Sequence, residues 1–458
     1  MPSPQPSSAL RSPRLWIGSG LILAVVSTLF ALLYVGGNVN PKGNLRDLPV
    51  AVVNSDRGAE AGGKRVNLGD QVVSGIKKSA ADDNSIDWQI LSRKEADKKL
   101  GQGKLFGALV VPEDFTATVT GLTNPQQKQQ KQAEQQKQPA RPALTVLTNQ
   151  SAGSIGSSMA SQATQKAAHA ASARIGKDLL DRAAAQKAPL APAAKLTLAD
   201  PATVKVTDGH PLGSHSAMGL SAFYYALVLV VCGMLGANAI HSQVDTALGY
   251  LHADFGPFRQ RMPVQHTSRV RTLAIGTVLM LAFSVVMGSL VEVATVGILD
   301  MDASHLGLLW LYSVATIAVV GMSALALLAA FGVPGMLLSA IIFVAMAVPS
   351  AGATVPLQAL PDFFRALAEF EPLRPITGGM RSILYYDAQA DAGLTRAWVS
   401  MGIALVVSVL FGFGVTRLYD RKGMHRIPRP ADTDEATGSD DAAGAAETPE
   451  AAPAPAAG

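Results

Sequence analysis

Runs of about 20 residues without a single charge constrain this chain more than any other feature. A bilayer's hydrocarbon core is about 30 Å thick, and a helix needs about 20 apolar residues to cross it. Leu15 to Val35, Leu220 to Ile240, Leu273 to Val291 and Ala397 to Thr416 each lack Asp, Glu, Lys and Arg. A fifth run, Leu306 to Pro361, is long enough for two helices, with Gly332-Val333-Pro334-Gly335 positioned to end one and turn the chain. Six spans are therefore expected. Only 16% of the 458 residues are charged, and they are concentrated between the runs, from about Gly36 to Met218 and beyond Arg417. The fold class that follows is an α-helical integral membrane protein, one span plus five, with a soluble domain inserted after the first.

The first run follows Arg11 and Arg14, as a signal peptide would, but it is longer than a typical h-region. Tyr34-Val35-Gly36-Gly37 offers no A-x-A cleavage site, so an uncleaved anchor is expected. Arg and Lys in short loops orient such a chain. Arg11, Arg14, then Arg259, Arg261, Arg269 and Arg271, then Arg417, Arg421, Lys422, Arg426 and Arg429 all fall on one side, which makes both termini cytoplasmic. Asp300 and Asp302 mark a loop on the other side. Arg365, Arg374, Arg381 and Arg396 run against this trend, in the long loop before the last span. The net charge of +4 then reflects loop bias rather than a nucleic-acid surface. The single cysteine, Cys232, lies within a span and reads as packing.

Between the first two spans, Leu48 to Asn54 reads as a buried strand and Asn67 to Lys78 as a helix with Leu68, Val72, Val73 and Ile76 on one face. A strand around Trp88 and Ile90, a short helix from Glu95 to Leu100 and a strand from Leu105 to Val111 follow, with Leu144 to Leu147 as a further strand. That order predicts a small α/β unit with partly parallel pairing. Ser151 to about Gln186 reads as a long helix or helical hairpin. The expected domains are a cytoplasmic tail (1–14), a first span (15–35), an extracytoplasmic α/β and helical domain (36–218) with a disordered Gln/Lys insert (124–141), a membrane domain (219–418) and a disordered cytoplasmic tail (419–458). Within the membrane domain the spans fall at about 220–240, 273–295, 306–331, 336–350 and 397–416, with a re-entrant or cap segment at 351–396.

Chemistry-bearing motifs are sparse. Gly58, Gly63 and Lys64 have the spacing of a nucleotide-binding loop, but Arg65 stands where Ser or Thr must hold magnesium, so a solvated turn is expected. His210 and His215 flank Pro211 and Gly213 and read as an interfacial loop rather than metal ligands. No catalytic constellation is expected, and no cofactor or metal. Glu292 is the one acid inside an apolar stretch, which makes it a candidate for substrate or proton contact. Asn238 reads as an interhelical hydrogen bonder.

One pattern is more specific. Val53-Asn54-Ser55-Asp56-Arg57-Gly58-Ala59, Val66-Asn67-Leu68-Gly69, Asp87-Trp88-Gln89 and Gly103-Lys104-Leu105-Phe106-Gly107-Ala108-Leu109-Val110-Val111-Pro112-Glu113-Asp114-Phe115 resemble the soluble domain of the YhgE/Pip (phage infection protein) family. That family sits within the ABC-2 type membrane proteins. Leu360-Pro361-Asp362-Phe363-Phe364, Glu371-Pro372-Leu373-Arg374-Pro375 and Met380-Arg381-Ser382-Ile383-Leu384-Tyr385 resemble the segment preceding the last span of ABC-2 permeases.

The resemblance implies a permease subunit of an exporter in the bacterial cell membrane, moving a lipophilic or envelope compound outward as a homodimer or beside a similar permease. A separate ABC ATPase would dock on the loop at Ser242 to Val270, through Asp245, Tyr250, Phe255, Arg259 and Arg261. Pro372, Arg374 and Pro375, with Glu292, would belong to a gate or pathway. The alternative is a non-transporting envelope protein, a phage-receptor-like surface protein or secretion scaffold. Neither reading involves nucleic acid, and both make the lipid bilayer a partner.

Overall fold

The computed structural model describes residues 13–61, 64–122, 141–185, 192–251, 253–255, 258–260 and 262–424. The Gln/Lys insert up to residue 140, the tail beyond residue 424, Arg11 and Arg261 lie outside them. The chain divides into two compact units: Met1–Cys232 with Val285–Ile317 and Ser339–Ile403, and Gly233–Ser284 with Ala318–Leu338 and Ala404–Gly458.

The chain begins with helix α1 (Pro13–Gly36) and then enters the α/β region. Its elements are β1 (Leu48–Asn54), β2 (Ala59–Ala61), β3 (Lys64–Val66), α2 (Leu68–Asp82), β4 (Ile86–Ile90), α3 (Arg93–Leu100), β5 (Gly107–Val111), α4 (Phe115–Gly121), β6 (Ala143–Thr148), α5 (Ser154–Ala185), α6 (Pro192–Ala199) and β7 (Thr203–Asp208). The sheet order is β4-β1-β5-β6-β7. β1 is parallel to both β4 and β5, β6 is antiparallel to β5, and β7 is parallel to β6.

Side chains alternate across a strand, so a continuous apolar run must be covered on both faces. β1 obeys this. Val52 packs with Leu109, Leu144 and Val146 against Val72, Ile76, Phe115 and Ile175, while Ala51 and Val53 face Ala96, Leu100 and Leu147 on the other side. Each fully buried Val or Leu contributes about 1.5–3 kcal/mol. Helix α5 presents a stripe of small residues to the sheet, Gly156, Ala160, Thr164, Ala168 and Ser172, which accounts for its Ala/Ser-rich composition.

The Asn54-Ser55-Asp56 turn ties this region together. Asp56 is buried, and its carboxylate accepts hydrogen bonds from the backbone N–H groups of Gly58 (3.1 Å), Gly69 (3.0 Å) and Thr116 (3.1 Å), and from the Thr116 hydroxyl. One side chain thereby accepts an N–H from the open first turn of both α2 and α4, where such groups have no helical partner. Around the segment with nucleotide-loop spacing, β2 and β3 pair antiparallel, Ala59 with Val66 and Glu60 with Arg65, while Gly63 lies outside the described residues.

Beyond β7 come α7 (Ser221–Ala247), β8 (Ala253–Phe255), β9 (Phe258–Gln260), α8 (Arg269–Glu292) with a π-helical extension Val293–Ile298, α9 (Leu306–Phe331), α10 (Val333–Ala340), a π segment Ile341–Ala345, α11 (Ala347–Ser350), α12 (Asp362–Phe370), α13 (Leu373–Tyr385) and α14 (Leu394–Arg421). Among the described residues, five helical runs are long and apolar enough to cross a membrane: Ser221–Ala247, Arg269–Ile298, Leu306–Phe331, Val333–Ser350 and Leu394–Arg421. The first expected span coincides with α1, whose Leu23–Gly36 portion is a shorter apolar helix.

The fourth run begins earlier than the expected 336. The chain turns at Gly332 alone, with φ of +65°, and Val333-Pro334-Gly335 already belongs to α10. Proline fits there because first-turn N–H groups have no helical partner to lose. Gly335 is required for another reason: a Cβ on it would lie 2.3 Å from the Leu327 carbonyl oxygen.

Candidate functional site

Helix α13 carries Arg374, Thr377, Gly378 and Arg381, positions i, i+3, i+4 and i+7, and therefore on one face. Its start is set by Glu371, whose carboxylate accepts the backbone N–H of Leu373 and, at 2.9 Å, that of Arg374. Glu371 is buried at 5% exposure, and that burial pushes its carboxyl up to about 8, against the lowering effect of the two N–H groups. Pro372 holds the break between α12 and α13, and Pro375 lies in the first turn, where it interrupts no helical hydrogen bond. Further along, the Tyr312 hydroxyl of α9 donates to the Ile376 carbonyl at 2.8 Å. Tyr385, at the end of α13, pairs its hydroxyl with Ser221 Oγ at 2.7 Å and accepts from the Ala222 N–H at 3.0 Å. The helix is thus anchored to the head of α7.

A cavity of about 360 Å³ opens along this face of α13. Its charged lining is Lys104, Arg374, Arg381 and Arg396, with no carboxylate among the lining residues. Arg374 donates to the Ala368 carbonyl at 3.2 Å. Among the described residues, Nε and Nη2 of Arg381 and Oγ1 of Thr377 are enclosed without a hydrogen-bond partner. Burial pushes the Arg381 guanidinium below its ordinary range, and burial with the nearby Arg396 charge does the same to Arg374. An arginine guanidinium stays protonated in proteins, so both groups are cations.

The other residues singled out by sequence lie elsewhere. Glu292 ends α8 where the helix widens into its π-helical turn, and its Oε2 is enclosed without a hydrogen-bond partner among the described residues. The Tyr225 hydroxyl, 3.0 Å from Ser313 Oγ, is within electrostatic reach of that carboxylate. π turns recur at functional positions in helices. Asn238 Nδ2 donates to the Met234 carbonyl of its own helix at 3.0 Å. The His210 ring contacts the Tyr385 carbonyl oxygen at 2.8 Å and the Tyr386 ring, in a structural role.

The second unit holds the residues between α7 and α8. Asp245 is buried on α7, 3.5 Å from His241 Nε2. Its carbonyl accepts the N–H of Tyr250 at 2.8 Å. The Tyr250 hydroxyl reaches across the loop to the Gln265 carbonyl at 2.8 Å. Phe255 and Arg259 lie on the β8–β9 hairpin, where Asp254 pairs with Arg259 in register. Arg261 lies outside the described residues.

Sequence reasoning missed Asp420. From the end of α14 it accepts the backbone N–H of Arg269 (2.9 Å) and Val270 (3.1 Å), capping α8. Arg269 stacks over the Tyr419 ring at 5.1 Å.

These features define a membrane protein: a mostly helical chain with several apolar helices of spanning length and a small α/β region. The chain belongs to the family described as protein of unknown function (DUF3533), which matches residues 19–404. It is also similar to the uncharacterized protein YhgE of Bacillus subtilis (strain 168), with 30% identity over 114 residues. That stretch is 24% of this chain and 14% of the Bacillus protein. The YhgE/Pip-like resemblance read from the Asn54-Ser55-Asp56 and Gly103-to-Phe115 patterns agrees with both matches.

Proposed function

We propose that the chain is the membrane subunit of an ABC-2-like exporter, moving a lipophilic or cell-envelope compound outward while a separate ATPase supplies the energy. In this reading it spans the bacterial plasma membrane six times, with both termini cytoplasmic, the 36–218 domain outside, and no ATPase site of its own. The observation that carries it is the braced connector between α7 and α8. Tyr250 bonds across the loop to Gln265, the β8–β9 hairpin stands between them, and Asp420 caps the helix that follows. A loop that only links two spans needs no such bracing, whereas one that receives force from a docked subunit must be stiff.

Pairing with a second permease is supported by α8 and α14. Their apolar windows are only 22% and 17% buried, against 61% for α9, so lipid or another subunit covers them. Mild-detergent purification of the tagged chain should recover an ATPase, and the double variant Tyr250→Phe with Arg259→Ala should reduce recovery at least tenfold. Repeated absence of any ATPase, with export intact in cells lacking candidate ATPases, sinks the reading.

A non-transporting surface receptor or scaffold is favoured by one observation: the α/β region has its own two-sided core. That reading predicts that deleting residues 36–218 removes every phenotype while connector substitutions change nothing.

A further inference from the structure

We propose that the cavity on α13 is a binding site for a phosphate oxyanion carried on a lipid headgroup. The starting point is an imbalance of charge. Lys104, Arg374, Arg381 and Arg396 converge on one cavity whose lining holds no carboxylate. A buried guanidinium without a counterion costs several kcal/mol, so such groups are paired in folded proteins. For Arg381 the enclosed Nε and Nη2 have no partner among the described residues, and Thr377 offers a free hydroxyl one turn away. The missing partner is therefore an acceptor-rich anion from outside the chain.

The chemistry of the donors narrows the anion. Nε and Nη2 form the guanidinium edge that binds two oxygens of one phosphate in parallel, and Arg374, Arg396 and Lys104 supply further positive charge. A volume of about 360 Å³ exceeds what a bare phosphate fills and leaves space for a small esterified group. The position narrows it again. Tyr385, at the end of the same helix, is bonded to Ser221 and Ala222 at the head of the apolar helix α7. The cavity thus lies close to where polar surface gives way to a membrane span, the depth at which lipid phosphates reside.

The site stands whether or not the chain exports anything, and its test needs neither transport nor an ATPase. Full-length protein in neutral detergent is unfolded thermally with increasing inorganic phosphate against chloride at equal ionic strength. The measurement is repeated in nanodiscs of phosphatidylglycerol or of phosphatidylcholine. Ligand that binds only the folded state raises the midpoint saturably.

Two variants locate the effect. Arg381→Met removes the unpaired guanidinium, and Gly378→Leu adds bulk to the cavity lining from a helical position where a Cβ meets nothing within 4 Å. The expected result is protection by phosphate, stronger protection by phosphatidylglycerol than by phosphatidylcholine, and at least tenfold weaker apparent affinity in both variants. Lys98→Met, at an exposed position on α3, should change nothing. Protection by inorganic phosphate with no lipid discrimination would assign the site to a free anion and overturn the headgroup part. Absence of any anion effect, or protection unchanged in both variants, would overturn the site itself.

Discussion

At the residue scale, two buried carboxylates solve the same problem, the open first turn of a helix. Asp56 takes four hydrogen bonds, from the Gly58 turn, from two helix starts and from the Thr116 hydroxyl. Leaving those donors without an acceptor costs about 1–3 kcal/mol for each that water cannot reach. Asp56→Ala should therefore destabilise the α/β region by about 3 kcal/mol or more, read as a lowered thermal midpoint. Asp56→Asn, which keeps one acceptor, should fall between. Glu371 caps α13 but is deprived of water, and its folded pKa of about 8 stands above the ordinary 4.5. The folded state then holds a proton that the unfolded state has released, so stability is greatest below about pH 4.5 and falls as pH rises toward 8. The drop is at most about 5 kcal/mol at 1.36 kcal/mol per unit. Glu371→Gln keeps an acceptor for the helix start and should flatten the slope; an unchanged slope in that variant would assign the pH dependence elsewhere.

At the element scale, the α9–α10 corner separates two reasons for glycine. Gly332 has a left-handed backbone but open space around its Cβ position, so Gly332→Ala should cost only the conformational penalty of about 1–2 kcal/mol. Gly335 has ordinary helical geometry, yet a Cβ there would collide with the Leu327 carbonyl. Gly335→Ala must push backbone from backbone and should be the more damaging of the two in detergent unfolding midpoints; the reverse order would refute this account of the corner. The same segment marks how far sequence can be read. The Gly-Val-Pro-Gly cluster announces a corner, but which residue turns depends on the approach of α10 to Leu327, a contact that no local pattern records.

On the scale of the whole molecule, the features legible from sequence are those with a strong period or a long run. Apolar stretches of spanning length need no partner to be recognised, and β1, α2 and β5 carry continuous or one-faced apolar patterns. β7 was illegible because it is an edge strand: Val204 and Val206 are its only large apolar residues and neither is buried, so Thr203 to Asp208 looks like loop. The basic cavity was half legible. Arg374 was singled out, and the excess of arginine before the last span was visible, but Lys104 is remote in sequence and only folding brings it beside Arg381 and Arg396. Orientation is testable at this scale. On a background lacking Cys232, Lys98→Cys should react with a membrane-impermeant maleimide in intact cells, and Lys422→Cys only after permeabilisation. The opposite pattern would invert the proposed topology.

The order of the strands has a consequence for how the chain is made. β7 completes the sheet as its last strand, pairing with β6 across the whole of α5 and α6, and Ser221, the first residue of α7, follows soon after Asp208. Because synthesis runs from the N-terminus, the sheet cannot be completed until just before the apolar helix α7 is made. Completion of the sheet and synthesis of that helix then fall within one short interval. A delay in the pairing of β7 leaves β6 without its partner strand while an apolar helix is already made, an interval that favours misassembly and proteolysis.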